Sequence, residues 1–547
     1  MTGLFDPEAI ESIRENHTAW EARMVSTGSG CTPALFTPLD VASMRYEEDL
    51  AWPGEYPYTR GLRETGYIGK SWTRRQVVGF GTAEETNERL RLLISEGQTG
   101  FSVCGMGYWP FDSDDDRAVG IVGRGGVWVD TLNDVDDLLR GLDLEKLSIN
   151  QIGSSIPIFA MILSVAKRRG ISWDNLRGTI QNRVIPGGSG PALAGNGSAD
   201  IVEFCIRNCP RWNHTSISAR NMRDLGISAV QELAFAAFQG AYAVTALEGR
   251  GLGVDEVAPR ISFYFSAENR FLEEVAKFRA ARRLWARIVR EELGGQNPRS
   301  ELMRVHVQTS AINLTAQEPL NNIVRSTIHA LAAVLGGVQS LHVNSFDEAL
   351  GIPTAEAAIL SLRAQEIIAN ETGIEEVLDP LGGSYAIEAL TNQLEKQAHE
   401  LYRELCRADP LDAFKAMKDA CYEATYERQQ RIDRGEQVMV GVNRFMAATE
   451  EGVAFASVPS FEYHPEWRDK QIRRLRAVRE SRDHDVARVA ARALARAYEK
   501  RENIVPAMIR AVEAHLSIGE IARVREEVLG PVDPIWLDFQ DGKYFAL

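Results

Sequence analysis

The sequence predicts an α/β fold: a (β/α)8 TIM barrel with an N-terminal arm and a C-terminal helical region. Two patterns carry that expectation. From about residue 80 to 385, helical patterns alternate with short strand-like runs about eight or nine times, as in a parallel sheet that packs its helices outside a barrel. Beyond Leu390 the strand-like runs stop and charged helical sequence takes over.

Residues 1–55 read as an arm with one amphipathic helix, Pro7 to Met24, followed by turn-rich sequence. Residues 56–390 form the barrel. Helical stretches such as TAEETNERLRLLISEG (82–97) and NRFLEEVAKFRAARRLWARIVREEL (269–293) separate its strands. Strands are expected at FSVCGM (101–106), GVWVD (126–130), KLSIN (146–150), RGTIQN (177–182), HTSIS (214–218), YAVTAL (242–247), RISFYF (260–265), RVHVQT (304–309) and QSLHVN (339–344). Residues 391–547 form the helical region. Its arginine-rich stretch, RDKQIRRLRAVRESRDHDVARVAARALARAYEK, repeats apolar residues at helical spacing and reads as a solvated helix face.

At 547 residues and 44% hydrophobic, the chain can bury a large core. A net charge of −15 without a lysine/arginine block argues against nucleic acid as a partner. No apolar run approaches the roughly 20 residues of a membrane span, and the N-terminus lacks a signal-peptide pattern. A soluble cytoplasmic protein is expected. The six cysteines are scattered. Cys205 and Cys209 share a helix face without further ligands nearby, so no metal site is expected and buried thiols are.

The strands carry an oddity. Barrels of this class normally fill their interior with branched apolar side chains. Here the alternate positions are polar: Thr179 and Gln181; His214, Ser216 and Ser218; Arg304, His306 and Gln308; Ser340, His342 and Asn344. Period two places each set on one face. Ile180, Ile217, Val305, Val307, Leu341 and Val343 then face the helices. Burying so many polar groups without partners costs about 1–3 kcal/mol each, so a polar, elongated molecule or a water-filled channel should occupy the axis.

The same segments resemble the methylmalonyl-CoA mutase family. The likeness rests on YPYTRG (56–61), SWTRRQVVGFGTAEETN (71–87), GTIQN (178–182), RWNHTSIS (211–218), APRISFYF (258–265), EVAKFRAARRLW (274–285), RVHVQTSAINLTAQEP (304–319), QSLHVNSFDEALGIPT (339–354), LDPLGGSYAIE (378–388) and GVNRF (441–445). It implies an isomerase in which the pantetheine arm of coenzyme A runs down the barrel axis. The matched positions for that arm are Thr179, Gln181, Asn213, Arg260, Ser262, Arg304, His306, Gln308, Gln339 and Ser340. Thr73, Arg75 and Lys70 match the nucleotide end, Lys70 replacing the family's usual arginine with a point charge. The resemblance further implies adenosylcobalamin as cofactor, with Asn344 and Glu348 on the adenosyl ribose and Ala349 and Asp224 also binding the cofactor. The family's cobalt-ligating Asp-x-His-x-x-Gly loop does not occur. A cobalamin-binding small subunit is therefore the implied partner, in a heterodimer or heterotetramer.

The positions facing the reacting acyl group depart from methylmalonyl mutases. Val77 stands in place of their tyrosine. Asn196, by a loose count, falls where they bind the substrate carboxylate through arginine. Asn221 replaces an active-site histidine and keeps a hydrogen-bond donor without the charge. The family's loop after the second strand becomes GMGYWPF (105–111), with Met106 near a lost aspartate and Tyr108 and Trp109 read either as pocket caps or as surface packing. His214 reads as a core histidine. The implied substrate is a branched or substituted acyl-CoA other than methylmalonyl-CoA. The alternatives are an acyl-CoA-binding homologue with altered catalysis, or a different radical reaction.

Overall fold

The computed structural model describes residues 7–21, 35–107, 109–153, 155–186, 197–446 and 461–530. Among them are nine parallel strands: β1 (Thr73–Val78), β2 (Gly100–Val103), β3 (Ser148–Gln151), β4 (Arg177–Ile180), β5 (Trp212–Asn213), β6 (Thr215–Ser218), β7 (Ile261–Ala267), β8 (Arg304–Thr309) and β9 (Ser340–His342). They form one sheet in the order β5-β4-β3-β2-β1-β9-β8-β7-β6. β5 and β6 are one strand interrupted at His214, so nine segments make the eight strands of a (β/α)8 barrel.

Asn182 closes the sheet where that interruption falls. Its carbonyl accepts from the Ser216 amide at 3.0 Å, and its Nδ2 donates to the carbonyls of His214 at 3.1 Å and Ser198 at 2.9 Å. The side chain thus supplies backbone-like bonds that the broken strand lacks.

Between the strands run α2 (Ala83–Ser95), α3 (Leu132–Leu138), α4 (Ile156–Arg168), α5 (Gly197–Asn208), α6 (Ala229–Thr245), α7 (Phe271–Arg287), α8 (Asn321–Leu335) and α9 (Ala355–Glu371). They come after α1 (Pro7–Glu21) in the arm. Capping boxes fix several starts, among them Thr82 with Glu85 and Ser228 with Gln231. The C-terminal region is α10 (Tyr385–Arg407), α11 (Pro410–Asp433), α12 (Glu466–Ser481), α13 (His484–Lys500), α14 (Val505–Glu513) and α15 (Ile518–Leu529). α10 packs on α6 and α7, and α14 packs on α4, so these helices grip the barrel from two sides.

Three expectations change. β1 is absent from the expected strands, although it lies in the SWTRRQVVGF segment. GVWVD forms no strand; it hangs on the strand ends through Val127 N–H to the Cys104 carbonyl (3.0 Å) and Trp128 N–H to the Gly81 carbonyl (3.1 Å). YAVTAL is the last turn of α6 and its C-cap, because the alanine-rich run begun at the Ser228 cap continues through Thr245. A short apolar run looks alike in a buried helix and a buried strand.

Two separate cores back the sheet. Val78, Phe101, Val103, Ile149 and Ile180, from the outer faces of β1–β4, pack with α2, α4, α13 and α14. Ile217, Phe263, Phe265, Val305, Val307 and Leu341, from β6–β9, pack with α6, α7 and α10. Between α7 and the sheet lies a buried charge cluster. Lys277 is fully buried and donates to Glu232 at 2.7 Å, Glu274 at 2.5 Å and the Ser266 carbonyl at 2.8 Å.

Packing is close where β4 meets β5. A Cβ built on Gly178 would stand 2.4 Å from the ring of fully buried Trp212. Gly178→Ala is therefore expected to cost about 1–3 kcal/mol. Urea unfolding followed by circular dichroism reads this as a lower midpoint; an unchanged midpoint would contradict the close contact.

Candidate functional site

The strand register brings the polar positions onto one face. Val77 lies opposite Ser102, Ser102 opposite Asn150, and Asn150 opposite Thr179. Thr179 lies opposite Asn213. On the other half Ser262 lies opposite Arg304, Tyr264 opposite His306, and His306 opposite Ser340. The apolar residues between them belong to the two cores, so this polar face lines the barrel axis.

The lining is partly knitted together. Asn213 Nδ2 donates to Thr179 Oγ1 at 3.1 Å, and Asn150 Nδ2 to Ser102 Oγ at 3.0 Å. His306 Nδ1 meets Ser340 Oγ at 2.5 Å. Tyr264 Oη donates to Gln308 Oε1, and Gln308 Nε2 donates to Asn344 Oδ1 at 2.6 Å. Other buried polar atoms stay unpartnered: Arg75 Nε, Asn150 Oδ1, Asn213 Oδ1 and Ser218 Oγ. Both donors and acceptors are on offer, as an amide-bearing chain requires.

The two ends differ. In a parallel barrel all strands begin at one end, and here that end is basic. Arg75 donates to Ser148 Oγ at 2.5 Å, and burial lowers its pKa to about 10. Arg304 is likewise lowered to about 10, by burial and by Arg260 and Arg299. Arg260 is lowered by burial and then by Arg299 and Arg211. Like charges held together this way are an anion-binding arrangement.

The opposite end mixes charges. A single helical turn, Arg220–Arg223, follows β6. Arg220 pairs with Asp224 at 2.8 Å and lies over the Tyr264 ring, 5.8 Å from its centroid. Glu348 is half-buried nearby, and burial raises its pKa to about 7 against the pull of Arg220. Burial also raises Asp224, again opposed by Arg220. His306 and His342 are held neutral, first by burial and then by neighbouring cations; His342 falls to about 3.

The expected residues therefore divide. Thr73, Arg75, Val77, Thr179, Gln181, Asn213, Ser262, Arg304, His306, Gln308 and Ser340 occupy lining positions. Asn221, Asp224, Asn344 and Glu348 gather at the C-terminal mouth. Arg260 joins the basic end. Lys70 and Ala349 are exposed at the two rims. The Gln339 amide is engaged by backbone, accepting from Val305 N–H at 2.8 Å and donating to the Gly337 carbonyl at 2.8 Å. Asn196 and Tyr108 lie outside the described residues.

Other residues fall between the readings the sequence leaves open. The alternation groups His214 with the lining, while its other reading makes it a core residue. It sits in the strand break, fully buried, with Nδ1 3.0 Å from Thr215 Oγ1, and burial lowers its pKa to about 3. Met106, expected near a lost aspartate, is a buried core residue. Trp109 packs on Phe111 at 5.8 Å and near Tyr498 and Met508, which is loop packing rather than a cap. Cys205 and Cys209 are buried free thiols, and no cluster of three metal-ligating side chains occurs among the described residues. Sequence reasoning passes over Arg220, Tyr264, Ser102 and Asn150. The alternation in KLSIN and ISFYF is the available signal for Asn150 and Tyr264.

Residues 28–531 match the family model described as Methylmalonyl-CoA mutase. The 2-hydroxyisobutanoyl-CoA mutase large subunit of Aquincola tertiaricarbonis is 38% identical over 565 residues, spanning 97% of this chain and 99% of that protein. Methylmalonyl-CoA mutase of Cereibacter sphaeroides is 38% identical over 514 residues, 91% of this chain and 71% of that protein. The mitochondrial enzyme of Homo sapiens is 38% identical over 508 residues, 89% of this chain and 66% of that protein. Fold and relatives together define an isomerase of the mutase type. The chain belongs to the methylmalonyl-CoA mutase family.

Proposed function

We propose that this chain is the large, substrate-binding subunit of an adenosylcobalamin-dependent acyl-CoA mutase. Its substrate is a branched or substituted acyl-CoA other than methylmalonyl-CoA, and a separate small subunit binds the cobalamin. The polar axis carries this reading. A pantetheine arm has two amides, and the axis presents unpartnered donors and acceptors along its length. The basic end suits the phosphates of the nucleotide, which places the acyl group at the opposite mouth.

Residue roles follow from position. Arg75, Arg260 and Arg304 hold the phosphate end, with Thr73 and Lys70 at its rim. Thr179, Gln181, Asn213, Ser262, His306, Gln308 and Ser340 orient the arm. The neutral histidines act as hydrogen-bonding groups and carry no charge at physiological pH. The closed walls keep water from the reacting acyl group. Val77 faces the axis where a larger side chain would narrow it, which supports a branched acyl group.

When bound, adenosylcobalamin supplies the radical chemistry of hydrogen abstraction and return. The C-terminal mouth fits its ribose. Among the described residues no side chain donates to the Glu348 carboxylate, so it is open to a diol. Asn344 is fixed beside it by bonds to Gln308 and to the Thr309 carbonyl (2.7 Å). Likeness to a named large subunit over nearly the whole chain supports a partner that brings the cobalt ligand.

The Glu348 carboxylate exists mainly above about pH 7. Acidification from pH 8 to 6 is therefore expected to weaken apparent affinity for adenosylcobalamin by up to about tenfold. Steady-state titration of the cofactor across pH measures this, and Glu348→Gln should flatten the profile. A profile that keeps its acid limb in that variant rules Glu348 out.

The central test is reconstitution. The chain is combined with its small subunit and adenosylcobalamin, and a panel of acyl-CoAs is followed by mass spectrometry. Turnover of a branched acyl-CoA that requires both additions is expected. No turnover across the panel with the correct partner would leave acyl-CoA binding as the function instead.

A further inference from the structure

We infer that Arg220 is a substrate-contacting residue that binds an oxygen of the acyl group, taking over the positive charge that Asn221 cannot carry. The inference rests on the acyl-CoA reading above and assigns a group within that site.

Geometry carries it. Arg220 follows β6 directly, at the mouth where the lining ends. Its side chain is 17% exposed, so the guanidinium is neither free in solvent nor sealed away. One face is fixed: Asp224 accepts at 2.8 Å, and Tyr264 lies beneath. Nη1 stands 3.5 Å from Asn221 Oδ1. The Nε is buried without a partner, and so is Oγ of Ser218, two residues back on the lining. Ser218 is itself 5% exposed. An unpartnered donor on a guanidinium and an unpartnered hydroxyl therefore lie two residues apart in the chain, where the lining strand ends. A ligand oxygen satisfies both.

The turn is held rigidly enough to aim that donor. On its far side Arg223 reaches Glu274 at 3.2 Å and Glu268 at 3.4 Å, and Lys277 ties Glu274 to the Ser266 carbonyl of β7. Asp224 also accepts from Ser266 Oγ at 3.4 Å. Burial works against the Arg220 charge, but Tyr264, Asp224 and Glu348 outweigh it and raise its pKa. A fixed cation aimed at a carbonyl oxygen stabilises charge that builds there during reaction, which a neutral asparagine does less well.

The source of the oxygen is either the thioester carbonyl or an oxygen substituent on the acyl chain. Isothermal titration of the full chain with three probes separates them: isobutyryl-CoA, its thioether isobutyl-CoA, and a carboxyl-bearing acyl-CoA. Wild type is expected to bind isobutyryl-CoA about tenfold or more tighter than the thioether. Arg220→Gln should abolish that preference by weakening the thioester alone, and Arg220→Lys should retain part of it. A preference present only for the carboxyl-bearing probe assigns the oxygen to the acyl substituent. The proposal is overturned if wild type binds all three probes equally, a result that needs no variant. It is also overturned if Arg220→Gln weakens all of them alike or leaves the preference intact. If no coenzyme A probe binds wild type, the acyl-CoA reading itself falls.

Discussion

Ser262→Leu is expected to weaken acyl-CoA binding steeply while the fold survives. Ser262 sits on β7 with its hydroxyl donating to the Thr215 carbonyl at 3.2 Å, level with Arg304 of β8. A leucine there projects a branched apolar group into the axis, between Ser216 and Arg304. The arm then loses both its space and two or three hydrogen bonds, each worth about 1 kcal/mol. Affinity for acyl-CoA should fall about a hundredfold or more, read by isothermal titration. The outer cores are untouched, so the urea midpoint should move little. Retained affinity would mean that the arm does not pass this level of the barrel, and the axial binding mode would have to be abandoned.

The second large effect concerns stability. Lys277→Met removes the only cation that touches both Glu232 and Glu274 through hydrogen bonds among the described residues, each of them fully buried. Burial pushes the Glu232 pKa up, and the Lys277 and Arg223 charges pull it back. Deleting one partner of a buried charge cluster typically costs about 3–5 kcal/mol, because the stranded charges remain desolvated. A large drop in the urea midpoint is expected. Adding Glu232→Gln and Glu274→Gln to the same variant should recover much of the loss. No recovery would show that the cost lies in packing rather than in stranded charge.

Much of this fold is legible in the sequence, for a physical reason. The segments of β4, β6, β8 and β9 alternate polar and apolar residues because one face meets helices and the other a polar axis, and period two exposes that division. β1 is harder. In TRRQVV the outward residues include Arg74 and Gln76, whose partners, the Gly97 carbonyl and the Val343 amide, lie far away in sequence. YAVTAL misleads because apolar runs carry no period of their own. The break at His214 leaves no local trace either; it depends on Asn182, some thirty residues upstream, standing in for missing backbone bonds. At the C-terminal mouth Asn221 stands out as a departure, and its neighbour Arg220 does not. The importance of Arg220 comes from Asp224 and Tyr264, and only folding brings Tyr264 to it.

A barrel filled with branched side chains must satisfy packing and chemistry with the same residues. Here the apolar packing lies in the two outer cores and the helices gripping them, while the interior is joined by hydrogen bonds. Specificity and robustness are thus assigned to different layers of the molecule. Exchange of one small polar side chain for another along the axis alters the lining without touching either core. Such an architecture lets the lining change while the scaffold shared with the relatives is kept.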